Sequence, residues 1–181
     1  MGDEIRVVIA DDHPLIRQAL RQVLDREADL KVVGESGDGK AALLQVETLK
    51  PHIAVLDVDM PLLDGMGVAR AAREKGLPVE IIFLTVHREA DLLEEATGLG
   101  AKGYVLKDSA AGEVVSAIRT VARGDHYISP AMAGHLVRAR QRLTVFQEQQ
   151  SGLKDLTRAE RRVLKLISEY KTTKQIADEL C

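Results

Sequence analysis

The chain has 181 residues, of which 45% are apolar and 29% are charged, as in ordinary globular proteins and unlike disordered chains. Aromatic residues make up only 3%, without tryptophan, which argues against binding nucleic acid by stacking bases on exposed aromatic rings. The single cysteine, Cys181, excludes a disulfide framework within the chain, and no apolar run is long enough to span a membrane. Because the first residues also lack the pattern of a signal peptide, we expect a cytoplasmic protein without a membrane partner.

Acidic and basic residues are unevenly distributed along the chain. Residues 1–129 hold 22 acidic and 15 basic side chains, whereas residues 130–181 hold 6 acidic and 10 basic ones. The first part therefore carries a balance of −7 and the second a balance of +4, which together give the net charge of −3. This asymmetry suggests two units with different partners.

Five short runs rich in valine and isoleucine alternate with five helical patterns over residues 1–129. The runs are almost continuously apolar, which is typical of parallel strands buried on both faces. We therefore predict an α/β, doubly wound domain with five parallel strands in the flavodoxin-like order 2-1-3-4-5. The predicted strands are Ile5–Ala10, Leu30–Ser36, Ile53–Asp57, Glu80–Val86 and Gly103–Lys107, and the predicted helices are Pro14–Arg26, Gly39–Leu49, Gly65–Lys75, Glu89–Leu99 and Ala110–Ala122.

Polar side chains stand at the carboxyl ends of these strands, where open parallel sheets bind their ligands. Asp11 and Asp12 follow the first strand, Asp57 ends the third, and Thr85 and Lys107 end the fourth and fifth. Clustered carboxylates repel one another unless a counter-charge is present, and Mg²⁺ with its preference for oxygen ligands would supply one. An aspartate can also act as a nucleophile that forms an aspartyl-phosphate. Although a single aspartate here could merely cap a helix, the whole set predicts phosphoryl transfer onto an aspartate.

Four segments resemble the response regulators of two-component systems, in particular the group with a LuxR-type helix-turn-helix. They read VVIADDHPLIRQAL, AVLDVDMPLLDGMGVAR, IIFLTVH and GAKGYVLKDSAAGEVVSAIRTVARGDHYIS, within residues 5–129. The resemblance implies a receiver domain over residues 1–129 that accepts a phosphoryl group from a sensor histidine kinase. It also implies a regulator that catalyses its own phosphorylation and dephosphorylation rather than an enzyme with a separate substrate.

Individual residues of the acidic site acquire roles from this resemblance. Asp57 matches the phosphoacceptor and is also a ligand of Mg²⁺. Asp12 matches a direct ligand of the metal, Asp11 an indirect one, and the backbone carbonyl of Asp59 a further ligand.

The resemblance also implies residues that respond to the phosphoryl group. Thr85 matches the hydroxyl that turns towards it, Tyr104 the aromatic switch that swings inward, and Lys107 the lysine that contacts the phosphate. Asp59 and His87 lie two residues beyond Asp57 and Thr85, at positions that flank the attacking water in this family. We hypothesise that the charge of Asp59 modulates hydrolysis of the phosphoryl group, although a solvated loop aspartate is an equal alternative.

The remaining residues are predicted to be all-helical. Residues 130–152 are interpreted as a linker, and residues 153–181 resemble the first half of a LuxR-type helix-turn-helix. Because the helix that would read the bases does not follow, no complete DNA-binding site is predicted for this chain. DNA is expected as a partner of a full-length parent and a second copy as a partner after phosphorylation, through the face at residues 89–122 or through helices 1 and 5. A plain helical hairpin for packing or dimerisation is the alternative for residues 153–181.

Two other functions remain open from the sequence. The segment Leu56-Asp57-Val58-Asp59 resembles the DxD motif of haloacid-dehalogenase-type phosphatases, although that motif usually ends the first strand rather than the third. A flavodoxin-like FMN binder would share the fold, but the first strand is not followed by the loop of small and hydroxyl residues that would bind phosphate.

Overall fold

The computed structural model describes residues 4–132, so the helix-turn-helix and nearly all of the linker predicted above lie outside the described residues. Strands and helices alternate throughout this part. The strands are β1 (Ile5–Ala10), β2 (Leu30–Ser36), β3 (Ile53–Asp57), β4 (Glu80–Thr85), β5 (Gly103–Leu106) and β6 (Tyr127–Ile128), and the helices are α1 (Pro14–Leu24), α2 (Gly39–Leu49), α3 (Gly65–Glu74), α4 (Ala90–Gly98) and α5 (Ala110–Ala122).

All described strands form one parallel sheet in the order β2-β1-β3-β4-β5-β6. The predicted order of the first five strands is confirmed. The sixth strand is a correction, because we predicted five. It has only two residues, too few for a hydrophobic period, and it forms because the chain after α5 returns to the free edge of β5, where Tyr127 pairs with Gly103.

Each face of the sheet is covered by its own set of helices. Leu20 of α1 and Val114 of α5 belong to one buried cluster with Val7 and Val105 of the sheet. Helices α2, α3 and α4 cover the other face, where Phe83 of the sheet is fully buried. The inner strands β3, β4 and β5 are covered on both sides and are almost wholly buried, which explains their continuous apolar runs in the sequence.

Short-range signals fix how α3 begins beside the end of β3. The side chain of Asp64 caps α3 by accepting a hydrogen bond from the backbone N–H of Gly67, at 2.6 Å. A Cβ atom on Gly65 would lie 2.1 Å from the carbonyl oxygen of Asp57, which only glycine avoids. The start of α3 therefore packs directly against the last residue of β3 and shapes the loop that follows Asp57.

Candidate functional site

Buried polar side chains concentrate at the carboxyl ends of the strands. In the part of the chain that the structure describes, they all lie at the last residue of a strand or directly after it. Since parallel strands end at one edge of the sheet, these residues line a single rim. They are Asp11 after β1, Ser36 of β2, Asp57 of β3, Thr85 of β4 and Ser129 after β6.

A lysine joins the two buried carboxylates. The Nζ atom of Lys107 lies 2.7 Å from Oδ2 of Asp57 and 2.9 Å from Oδ2 of Asp11. Apart from this ion pair, neither Oδ2 atom accepts a hydrogen bond from a described residue. The other oxygens accept backbone hydrogen bonds, Oδ1 of Asp57 from Asp59 at 3.2 Å and Oδ1 of Asp11 from His13 at 2.8 Å. Both carboxylates are thus held in fixed orientations.

The charges of this cluster fit a divalent cation. Ligand atoms of Asp11, Asp12, His13 and Asp57 all lie within 4.8 Å of one another. The three carboxylates face the single ammonium of Lys107, so about two negative charges stay uncompensated. Buried carboxylate oxygens with free lone pairs and an exposed Asp12 at the opening are suited to Mg²⁺, which combines a few carboxylates with retained waters.

The sequence analysis did not include His13 in this cluster. Its Nδ1 atom lies 2.5 Å from Oδ1 of Asp12 and 3.4 Å from Oδ1 of Asp11. The signal for this placement in the sequence is the position of His13 directly after Asp11 and Asp12.

Burial makes the Asp57 carboxylate costly to ionise. Removal from water raises its pKa from 3.8 to about 6, and the negative charge of Asp11 adds to the rise, while Lys107 opposes it. For Lys107, burial alone would lower the pKa, but hydrogen bonds to Asp57 and Asp11 outweigh it and raise the pKa. Lys107 therefore stays protonated in the site, and an additional positive charge would stabilise the ionised form of Asp57.

Thr85 and Tyr104 are both buried beside this cluster. Asp57 pairs in register with Leu84, so Thr85 extends one residue beyond it on the neighbouring strand. The Oγ1 atom of Thr85 accepts a hydrogen bond from the backbone N–H of His87 at 2.9 Å. The ring of Tyr104 is already inside the fold, with 1% exposure, so the inward swing expected from the resemblance is not needed to bury it. Burial raises the pKa of the Tyr104 hydroxyl more than the neighbouring Thr85 hydroxyl lowers it.

Asp59 and His87 meet at the mouth of the site. The Nε2 atom of His87 lies 2.7 Å from Oδ2 of Asp59, and both side chains are partly exposed. Glu89 also approaches the imidazole, with its Oε2 atom 3.7 Å from Nδ1. The two positions that the sequence analysis singled out for hydrolysis are therefore in contact, and the effect of Asp59 on hydrolysis stays a prediction.

A doubly wound parallel sheet with carboxylates and a lysine at its carboxyl edge defines a receiver domain. The family model described as the response regulator receiver domain matches residues 7–119. The chain belongs to this family and is a two-component response regulator of the LuxR/NarL group. No helix in residues 4–132 has both the length and the hydropathy to cross a membrane.

Relatives and solved structures agree with this assignment. The "Probable transcriptional regulatory protein NarL" of Mycobacterium tuberculosis is 38% identical over 134 residues, which are 74% of this chain and 62% of that protein. The transcriptional regulatory protein DegU of Brevibacillus brevis is 30% identical over 98% of this chain and 80% of its own length. The receiver-domain structure of M. tuberculosis NarL superposes with a TM-score of 0.66 at 39% identity and covers 68% of this chain and 99% of that one. The matched stretch thus spans less than two thirds of the NarL relative.

Proposed function

We propose that Asp57 accepts a phosphoryl group from the phosphohistidine of a sensor kinase, in a reaction that depends on Mg²⁺. The observation that carries this proposal is the buried ion-pair cluster, in which Lys107 contacts Asp57 and Asp11 and three carboxylates face one ammonium. An aspartate that served only to cap a helix would need neither the buried lysine nor the two further carboxylates.

The chemistry follows from the groups around Asp57. A carboxylate oxygen attacks the phosphorus atom, the phosphorus–nitrogen bond of the donor breaks, and the leaving imidazole takes up a proton. Asp11, Asp12 and Asp57 would hold Mg²⁺, which would supply positive charge to the phosphoryl oxygens. Lys107 neutralises another part, and the hydroxyl of Thr85, at the end of the neighbouring strand, turns and donates a hydrogen bond. In dephosphorylation, water attacks the phosphorus atom, the bond between phosphorus and the Asp57 oxygen breaks, and phosphate is released. The protein thus catalyses both steps on itself.

A DNA-binding output is proposed from a solved relative. The solved complex of the response regulator RcsB with DNA matches this chain with a TM-score of 0.70 at 25% identity, covering 98% of this chain and 83% of that one. By this likeness we propose that the protein regulates transcription through a DNA-binding domain. We also propose that phosphorylation promotes homodimerisation and that the protein acts in the cytoplasm.

Phosphorylation with a small donor tests the proposal without knowledge of the kinase. The chain is incubated with ³²P-labelled acetyl phosphate with and without Mg²⁺, beside Asp57→Asn and the control Asp125→Asn, which changes an exposed aspartate outside the site. We expect labelling of the wild type and the control only with Mg²⁺, and none of Asp57→Asn. Equal labelling of Asp57→Asn, or no labelling of the wild type, would overturn the proposal.

A further inference from the structure

After α5 the chain does not leave the domain but returns to the sheet. Gly124 turns it with a φ of +92°, a conformation that glycine adopts without strain. The backbone N–H of Tyr127 then donates to the carbonyl of Lys102, and that of Ser129 to the carbonyl of Tyr104, both at 2.8 Å. The outer edge of β5 is thus occupied by residues 127–132, which we call the docked segment.

The docked segment is anchored by side chains as well as by its backbone. Met132 is completely buried and belongs to the same apolar cluster as Tyr104 of β5 and Leu93 and Ala96 of α4. Ser129 is also fully buried, and its carbonyl accepts a hydrogen bond from the N–H of Met132 at 2.8 Å. Burial of this methionine removes apolar surface from water and so stabilises the docking of the segment.

Tyr104 lies between the docked segment and the acidic site. It pairs with Ile128 of β6 on one side and with Phe83 of β4 on the other. Thr85 follows two residues after Phe83, so it lies on the same face of the sheet as Tyr104, diagonally across β4 and β5. A cavity of about 120 Å³ beside the ring, lined in part by Leu93 and Ile128, leaves space for the packing of Tyr104 to change.

We propose that the docked segment is the element that senses phosphorylation, with Met132 holding Tyr104 inside and the Tyr104 ring holding the segment on β5. The proposal rests on the function proposed for Asp57. A phosphoryl group draws the Thr85 hydroxyl towards it and fixes the ring of Tyr104 in the buried position, which tightens the docking of residues 127–132. Because the chain continues directly from Met132 towards its carboxyl terminus, the change reaches the residues that follow without passing through α5.

Thermodynamic linkage makes this coupling measurable from both ends. If a phosphoryl group or its mimic on Asp57 favours the docked state of residues 127–132, a variant that weakens docking must weaken binding of the mimic by the same factor. The probe for occupancy is beryllofluoride with Mg²⁺, which mimics a phosphoryl group on aspartate. The probes for docking are the amides of Tyr127 and Ser129, whose exchange with deuterium reports whether their hydrogen bonds open.

The experiment uses the full 181-residue chain. Beryllofluoride is titrated into the wild type, into Met132→Ala, and into two controls, Leu44→Ala, an exposed residue of α2, and Val46→Ala, a buried residue of α2 in the same cluster as Met132. We expect beryllofluoride to slow exchange at Tyr127 and Ser129 in the wild type, and Met132→Ala to bind it about fivefold more weakly, within the usual range of coupling. Both controls should bind it as the wild type does, since neither lies in the docked segment or in β5.

The wild-type exchange measurement needs no variant, so the proposal can be tested even if Met132→Ala folds poorly. Unchanged exchange at both amides under saturating beryllofluoride would overturn it, as would equal affinity in Met132→Ala and the wild type. If the wild type does not bind beryllofluoride at all, the function proposed for Asp57 fails instead, so the two failures are distinguishable. Weakening by Val46→Ala equal to that by Met132→Ala would show a general loss of packing and also contradict the proposal.

Discussion

The middle of the sheet and its carboxyl rim bury different kinds of side chain. In the middle, residues such as Val55 and Ile82 are fully buried among apolar neighbours, and their removal from water stabilises the fold. At the rim, Asp57 and Thr85 are equally buried but carry polar groups. Burial of a charge costs free energy unless it is paired, so the excess negative charge at the rim lowers stability, and a bound cation reduces this cost. The residues that stabilise the fold therefore lie in the middle of the sheet, and the residues proposed to bind the cation and the phosphoryl group lie at its rim.

Adjacent residues of β4 give the largest test of this contrast. Leu84→Ala opens a cavity in the middle of the sheet and should lower the free energy of unfolding by about 3–4 kcal/mol. Thr85→Val keeps the volume and removes only the acceptor for the N–H of His87, which should cost about 1 kcal/mol. Urea denaturation measures both values. A larger loss of unfolding free energy for Thr85→Val than for Leu84→Ala would contradict the view that the middle of the sheet, and not its rim, stabilises the fold.

Lys107→Met tests the charge balance of the rim. Without the ammonium, the carboxylates of Asp57 and Asp11 repel each other, and the metal-free protein should lose about 3 kcal/mol of unfolding free energy. Mg²⁺ should restore part of this loss by supplying the missing charge. The control is Lys102→Met, which removes a half-exposed ion pair with Glu80 of 2.8 Å and should cost under about 1 kcal/mol with or without Mg²⁺. Equal responses to Mg²⁺ in the two variants would contradict the account.

The pKa of Asp57 predicts how stability depends on pH in metal-free buffer. Because the folded-state pKa is about 6 and the ordinary value is 3.8, the folded protein binds more protons between these two values. The contribution of Asp57 to stability is therefore complete below about pH 4 and is lost as the pH rises through 6. Asp57→Asn removes the titration, so the difference between wild type and variant should change across this window and be level above it. Parallel pH profiles for the two proteins would show that the pKa of Asp57 is not raised in the folded protein.

The smallest effect is expected at the opposite end of the sheet, in the turn before β3. Lys50 ends α2 with φ 46° and ψ 60°, a left-handed conformation that favours glycine. Lys50→Gly should raise the free energy of unfolding by about 0.5 kcal/mol, whereas Lys50→Ala should not. Labelling by acetyl phosphate should be the same in both variants. A change in labelling would mean that this turn also influences the rim.

Most of the fold and the rim could be predicted because both follow from short patterns. The apolar runs identify strands covered on two faces, and Asp57, Thr85 and Lys107 stand where those runs end. The resemblance to receiver domains then assigned their roles, which distances alone do not test.

Three features depend on contacts that the sequence pattern does not encode. Strand β6 has two residues and forms only because the edge of β5 is available. The buried position of Tyr104 depends on neighbours more than 20 residues away in the chain, among them Met132. The contact between Asp59 and His87 joins two loops that lie 28 residues apart in the sequence, and neither loop by itself predicts it.

Calorimetric titration of Mg²⁺ into the metal-free chain tests the central claim most directly, because the claim is that three carboxylates facing one ammonium require a divalent cation. We predict one saturable site in the wild type and in Asp125→Asn, and at least about tenfold weaker binding in Asp12→Asn, which removes an exposed ligand without opening a cavity in the core. The absence of saturable heat in the wild type, or wild-type affinity in Asp12→Asn, would contradict it.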